Sequence, residues 1–483
     1  MEGAAKPIDR STRLALVAMA IAVFVLANDF SAINVAIPQI EEDFKTNVTT
    51  AQWVVNAYAL TFGVLLVTGG RLADLFGRRR AFFIGTAIFA TFSTLGGAAQ
   101  TEAELIAMRV LMGIGGALMW PAILGMTYAA LPEERAGLAG ALILGMCGVG
   151  NAAGPLIGGA LTDLLSWRWI FFLNLPVSAF AAFVTWRELH QPRAQIEDVR
   201  IDYGGIVTVS VGLVSLLLAF DQAIEWGWED PRIIALLAVF VLLITAFVFI
   251  ERREGEHALV PPDVIGNRDF AYTSAAILLM SAVFFASMLY LPQLMINVLD
   301  YSAVGAGAGM LPMMATFAAV SFVAGWLFNR LGAKPLLILG SLCIVLGPAL
   351  VALLAGNETY GAIVPGMAVL GLGIGLFYPT ATTVGVTAID ESRRSLAGAI
   401  IYMCQIAGGS VGLGLTTTIF TGASDGATGG ARFVDGIQTA FAVDAAIAVG
   451  GFLIATFLIG GRIRLPHVHR PALAGHSPRG HGP

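Results

Sequence analysis

The sequence predicts an all-α integral membrane protein of fourteen spans, built as two six-helix bundles in parallel repeat with two extra helices between them. Three observations carry this. The 483 residues are 57% hydrophobic and only 12% charged, with a mean hydropathy of +0.80, well above what a soluble domain of this size tolerates. The apolar runs are long enough to cross a hydrocarbon core about 30 Å thick, which takes roughly 20 residues of helix. Loop residues also recur between the two halves at a nearly constant offset.

In chain order the expected spans are 14–37, 52–69, 81–99, 103–130, 136–162, 167–185, 203–222, 232–250, 269–292, 303–327, 335–354, 361–387, 396–420 and 436–460. Lys6, Arg10 and Arg13 precede the first run, which is longer than a signal-peptide core and lacks a small-residue cleavage site, so it reads as a retained helix. The basic residues fix the orientation. With both termini cytoplasmic, the inner segments hold Arg71, Arg78, Arg79, Arg80, Arg135, Arg252, Arg253, Arg330, Lys334, Arg393 and Arg394 among others, and the outer ones only Lys45, Arg168, Arg232 and Arg432. One span missed early would swap every later loop, so an even count is expected. The chain then divides into a cytoplasmic N-terminus at 1–13, a bundle at 14–186, linker segments with two extra helices at 187–262, a second bundle at 263–461 and a disordered cytoplasmic tail at 462–483. The tail carries His467, His469, His476 and His481 among prolines and glycines.

The repeat supports the helix count. Gly70, Leu72 and Gly77 match Gly325, Leu327 and Gly332, an offset of 255 residues from Gly70 to Gly325. Pro121, Glu133, Arg135, Leu138 and Gly140 match Pro379, Glu391, Arg393, Leu396 and Gly398, an offset of 258 from Pro121 to Pro379. Six spans with short loops occupy roughly 200 residues, so the offset leaves space for two further helices, which 203–250 supplies.

Several classes are excluded. The net charge of −5 comes from charges gathered between apolar runs, which leaves no continuous basic surface for nucleic acid. Cys147, Cys343 and Cys404 fall inside apolar runs and read as small buried hydrophobes, so neither a metal site nor a disulfide is expected. No expected span contains histidine, and no phosphate-binding loop of the G-x-x-x-x-G-K-[ST] kind occurs. Neither enzymatic chemistry at bilayer depth nor direct ATP drive is expected, and no cofactor is implied.

Four groups of residues stand out. Gly70 and Gly77 allow a sharp reversal between spans 2 and 3, and Asp74 sits among Arg71, Arg78 and Arg79, where a carboxylate can pair with arginine or meet a helix N-terminus. This reads as a breakable latch or as a positive-inside topology anchor. In span 5, Gly150, Gly154 and Gly158 share one stripe, with Pro155 and Gly159 beside it, so a neighbouring helix can approach closely. Charged groups inside spans are expensive and functional by default. Asp29 lies roughly 8 Å below the outer edge and Arg109 roughly 9 Å below it, at about 1.5 Å per residue, which points to one buried network with Asn34 nearby. Asp444 lies roughly 12 Å below that edge, whereas Asp221, at the outer end of span 7, reads as interfacial.

Taken in order, Asp29, Ser31, Asn34 and Pro38 in span 1, Gln52, Trp53 and Tyr58 in span 2, the Gly70 to Arg80 loop, Arg109, Gly113 and Gly115 in span 4, the span 5 string, and Trp167, Arg168, Phe171, Asn174 and Pro176 in span 6 resemble the major facilitator superfamily, specifically its 14-span drug:proton antiporter branch. Met112 departs from that pattern, which usually has glutamine there. The resemblance implies a multi-pass plasma-membrane protein, a monomer surrounded by lipid, that exports amphipathic or drug-like small molecules in exchange for protons. The alternatives are a dedicated exporter of one endogenous metabolite, lipid or antibiotic, and an uptake symporter, against which the span 5 motif argues. It further implies that the loop latch closes the cytoplasmic side against span 13 near Leu396. Asp29 is then the expected proton carrier with Arg109 beside it, or half of a permanent ion pair, and Asp444 is a second candidate. Trp120, Phe377, Tyr378, Tyr402 and Gln405, with Asn34, are the expected pocket residues, and Tyr290 and Gln293 lie near its mouth.

Overall fold

The computed structural model describes residues 9–46, 48–189, 202–255, 258–424 and 429–460. The linker stretch 190–201 and the His-bearing tail lie outside the described residues, as does the side chain of Asp221. Among the described residues, fourteen long helices follow one another: α1 Arg10–Phe44, α2 Val48–Phe76, α3 Arg78–Gly97, α4 Glu102–Ala129, α5 Ala136–Leu164, α6 Arg168–Glu188, α7 Tyr203–Trp226, α8 Pro231–Glu254, α9 Arg268–Asn297, α10 Leu311–Leu331, α11 Ala333–Leu354, α12 Tyr360–Thr387, α13 Arg394–Ser424 and α14 Gly430–Leu453. Local chemistry starts them. The side chains of Asp9, Thr101, Asp202, Asp230 and Asn267 each accept a hydrogen bond from a backbone N–H of the first turn, and Pro231 follows its cap directly.

Among the described residues, 13 helices are long and apolar enough to cross a membrane. The remaining long helix, α3, has 20 residues and opens on Arg78, Arg79 and Arg80, which shortens its apolar stretch. It nevertheless packs between α4 and α6 like the helices around it.

Packing repeats the sequence repeat. In the first half α1 packs on α5 and α6, α2 on α4, and α3 on α4 and α6. In the second, α9 packs on α13 and α14, α10 on α12, and α11 on α12 and α14. Each contact recurs eight helices later. The halves meet through two equivalent seams, α2 and α4 against α13, and α10 and α12 against α5. The extra helix α7 lies against α2 and α13, and α8 packs on α7 with only 6% of its most apolar window buried, so its surface is left to lipid.

Three expectations change. The first two helices are longer than their apolar runs: α1 continues through Pro38 to Phe44, and α2 to Phe76. Gly70 is therefore mid-helix, not part of the reversal. A Cβ there would lie 2.7 Å from Ala399 Cβ and 2.9 Å from the Ser395 carbonyl, so its lack of a side chain lets α2 touch α13. Gly77 alone makes the turn, at φ +99°. The run at 303–327 is also interrupted, with a short Gly-rich helix Ala303–Gly309 ending at Met310 before α10 starts beside Pro312.

The span 5 stripe meets α1. A Cβ on Gly150 would lie 2.8 Å from Ala27 Cβ, and one on Gly154 2.8 Å from Ser31 Cβ. One on Gly158 would lie 2.9 Å from Ala32 Cα, whereas Gly159 meets only Val35, at 3.7 Å. Gly158→Leu is expected to wedge α5 from α1 and destabilise the first bundle by about 1–3 kcal/mol, read as a lower melting temperature of the purified protein; Gly159→Ala, with ordinary clearance, is the variant that leaves it unchanged.

Candidate functional site

The first bundle buries one polar network. Asp29 on α1 and Arg109 on α4 are both fully buried and paired, with Arg109 Nη1 2.5 Å from Asp29 Oδ2. Asn174 on α6 donates to the other carboxylate oxygen at 2.7 Å and to Ser93 Oγ on α3 at 3.0 Å, and Ser93 in turn donates to the Phe171 carbonyl at 2.8 Å. Arg109 Nε donates to the Val54 carbonyl of α2 at 2.8 Å. Its guanidinium carbon sits 4.3 Å from the centre of the Tyr58 ring. Five helices thus converge on one ion pair.

The sequence places Asp29 and Arg109 at one depth, and they meet. Asn34 is not part of this network; its amide donates to the Phe30 carbonyl one turn back, on the cavity side. The hydrogen-bonding roles of Asn174 and Ser93 were not read from the sequence. Asn174 is legible as an amide inside an apolar run, but Ser93 is not, because serines within helices commonly bond their own carbonyls. The Met112 departure has a visible consequence. Met112 Sδ lies 4.0 Å from Arg109 Nη1, and Nη2 is buried without a hydrogen-bond partner among the described residues. Met112→Gln keeps the volume and adds an acceptor. It is expected to stabilise the protein by about 1 kcal/mol, read as a melting temperature higher by about 1 °C; a drop would mean that the amide finds no bond.

Asp444 on α14 is equally buried but differently held. Its Oδ1 accepts from Thr416 Oγ1 on α13 at 2.6 Å, its Oδ2 has no partner, and no ion pair reaches it among the described residues.

A cavity of about 190 Å³ lies between the halves. Both contribute: Phe30, Asn34, Tyr58, Phe62, Trp120 and Asn151 from the first, Phe284, Phe317, Tyr378, Tyr402, Gln405 and Ser410 from the second. Of the six expected pocket residues, Asn34, Trp120, Tyr378, Tyr402 and Gln405 line it. Phe377 does not. It is fully buried on the far side of α12, where its backbone would lie 2.8 Å from a Cβ on Gly340 of α11. Consecutive helical residues point about 100° apart, and at this level of α12 the cavity side falls to Tyr378 and the α11 side to Phe377. Tyr290 lies outside the lining, its hydroxyl donating to Thr417 at 2.7 Å. Tyr58 joins the two regions, with one part of its ring on the cavity wall and Arg109 against it.

Towards the Arg78 loop the halves are tied together. Asp74 Oδ2 accepts from the Leu396 N–H at 2.9 Å and Oδ1 from the Ser395 N–H at 3.4 Å, so a carboxylate of α2 sits at the N-terminus of α13. Arg78 Nε pairs with Asp74 at 3.1 Å, Nη1 donates to the Gly125 carbonyl at 3.1 Å, and Nη2 donates to the Glu391 carbonyl across the seam. Asp390, hydrogen-bonded by the Ser392 side chain and backbone N–H and so held below the usual carboxylate range, caps the turn before α13. Tyr128 and Thr383 hydroxyls meet across the same side at 3.0 Å. Arg79 takes no part. Its Nη2 donates to the Trp186 carbonyl of α6, at 2.8 Å, inside the first bundle, because the next residue on the helix points away from the seam.

Two parallel six-helix bundles around a central cavity, with a buried ion pair at its wall, define a multi-pass membrane protein of two-fold pseudo-symmetry. The family model of the Major Facilitator Superfamily matches residues 19–413. The puromycin resistance protein pur8 of Streptomyces alboniger is 34% identical over 92% of this chain and 90% of that one. The cephamycin export protein CmcT of Amycolatopsis lactamdurans is 34% identical over 84% of each, and the multidrug transporter protein MdtP of Bacillus subtilis 31% identical over 83% of this chain and 74% of its own. The crystal structure of the human organic anion transporter MFSD10 superposes with a TM-score of 0.63, at 11% identity, over 93% of this chain and all of that one, which shows a shared fold. The chain belongs to the Major Facilitator Superfamily.

Proposed function

We propose that the protein exports drug-like, amphipathic small molecules in exchange for protons, as a monomer in the cell membrane with fourteen spans and both termini cytoplasmic. The observation that carries this is the cavity shared by both halves, with the Asp29–Arg109 pair directly behind its Tyr58 wall. The names of the relatives, which include puromycin resistance, cephamycin export and multidrug transport, support efflux as the direction.

In this reading the substrate occupies the cavity and Asp29 carries the proton. Protonating Asp29 removes the charge that holds Arg109, freeing the guanidinium to shift against Tyr58 and Val54. That gives proton occupancy a route to the cavity wall through two contacts. Asp74 and Arg78 form the cytoplasmic latch that must open for substrate to enter from inside, and the glycine stripe between α1 and α5 keeps the first bundle tight while the halves rock. Asp444, with one hydroxyl partner and no cation, is the alternative proton site on the second half.

The relatives' names favour two breadths of substrate, a single antibiotic or many drugs. A substrate panel in proteoliposomes with an imposed pH gradient decides both questions. Gradient-driven movement of several unrelated amphipathic compounds, collapsed by a protonophore, supports a multidrug exchanger; movement of one compound class alone supports a dedicated exporter, and indifference to the gradient overturns proton exchange.

A further inference from the structure

The cavity is uncharged. None of the described residues that line it is Asp, Glu, Lys, Arg or His, and its polar atoms come from amides and hydroxyls such as Asn34, Asn151, Gln405 and Ser410. A buried cation needs a counter-charge, and cation–π attraction from aromatic walls is smaller than the cost of desolvating the ion. The Tyr58 ring is moreover already engaged by the Arg109 guanidinium at 4.3 Å. Asp29, the carboxylate of the network, is fully buried and committed to Arg109 and Asn174. Among the described residues that line the cavity, no anionic side chain is offered to a substrate.

One donor is left over. Trp120 is 2% exposed and lines the cavity, its ring 4.2 Å from that of Tyr402, and its Nε1–H is buried without a hydrogen-bond partner among the described residues. An indole N–H can only donate, and leaving it unpaired in a buried site carries a desolvation penalty that an acceptor would remove. Tyr402 is itself in edge contact with Phe62 at 5.8 Å, so Trp120, Tyr402 and Phe62 form one packed aromatic wall of the cavity. A flat ring can pack against such a wall.

We infer that the cavity takes an uncharged, planar aromatic compound bearing an acceptor oxygen, and that Trp120 Nε1–H donates to that oxygen. The inference rests on the cavity being the substrate site of the exchanger proposed above. It makes Trp120 a specificity-determining residue and gives transport an electrical signature. Exchange of a neutral molecule for a proton moves net charge inward, so an inside-negative potential drives it even without a pH gradient, whereas one monovalent cation exchanged for one proton moves none.

The test uses the purified full-length chain and three probes of one shape: a neutral aminoanthraquinone, the aminoanthracene that lacks its two carbonyl oxygens, and the anthraquinone carrying a trimethylammonium arm. Equilibrium binding is read by fluorescence anisotropy without any gradient. The wild type is expected to bind the neutral anthraquinone about tenfold more tightly than either other probe, and Trp120→Phe, which keeps a ring and removes the N–H, to erase about tenfold for the anthraquinone while leaving aminoanthracene unchanged. Equal or tighter binding of the cation, no binding of any probe, or a Trp120→Phe loss shared by both neutral probes overturns the inference; a melting curve of the variant separates misfolding from lost recognition. The same probes in proteoliposomes keep the two readings apart. Selective binding without gradient-driven movement leaves the recognition standing and sinks the exchanger, and driven movement of the cation alone keeps the exchanger and overturns the recognition.

Discussion

Arg109→Leu is expected to abolish transport and destabilise the protein by about 3–5 kcal/mol, because it leaves Asp29 buried without its counter-charge. Loss of the cation also strips the Val54 carbonyl of its donor and the Tyr58 ring of its partner. The informative companion is the double variant Asp29→Asn with Arg109→Gln, in which both charges are removed together and two amides can bond each other. If the pair were only a strut, the double variant would regain both folding and proton-driven transport. The account expects it to regain the melting temperature and monodispersity of the wild type and to remain uncoupled from the pH gradient. A double-mutant cycle on melting temperature alongside transport separates the two, since non-additivity in stability without recovery of coupling is the signature of a group that does more than hold helices together.

Asp74→Ala is expected to have the second largest effect, and on a different quantity. The carboxylate takes hydrogen bonds from Leu396 N–H, Ser395 N–H and Arg78 Nε, two of which cross between the halves. Removing it costs the closed arrangement about 2–3 kcal/mol, enough to shift the population between closed and open latch by roughly thirty- to more than a hundredfold. Spin labels placed on the loop after α2 and on the turn before α13 should then report a longer distance in the variant, and turnover should fall while equilibrium binding of substrate persists. An unchanged distance distribution would mean that the remaining Arg78 bonds to Gly125 and Glu391 hold the seam by themselves.

Much of the arrangement is legible in the sequence because membranes impose few solutions. A backbone in hydrocarbon must satisfy its own hydrogen bonds, so long apolar runs become helices, and the Gly70/Gly325 and Pro121/Pro379 offsets translate into packing contacts that recur eight helices apart. Depth arithmetic brought Asp29 and Arg109 together, since two buried charges of opposite sign at one level of a bundle have little choice of partner. What it did not resolve is direction around the helix axis. Phe377 and Tyr378 are adjacent in sequence, yet only one faces the cavity; Arg78 and Arg79 are adjacent, yet only one crosses the seam. Helix ends misled as well. α2 continues past its apolar run through Arg71 and Asp74, which moved Gly70 from a supposed turn to an inter-helix contact. The bond of Ser93 to Asn174, and the lack of a partner for Trp120 Nε1 among the described residues, depend on side-chain positions that residue spacing does not encode.

The central claim is that Asp29 carries the exchanged proton. The measurement that tests it most directly is substrate movement in proteoliposomes under an imposed pH gradient, compared between wild type, Asp29→Asn and Asp444→Asn, with equilibrium binding recorded on the same preparations. The account predicts gradient-driven movement in wild type and in Asp444→Asn, and in Asp29→Asn intact binding with movement that no longer responds to the gradient. Gradient-driven movement that survives in Asp29→Asn and vanishes in Asp444→Asn would contradict it, and would make the buried pair of the first bundle a structural element and the carboxyl beside Thr416 the coupling site.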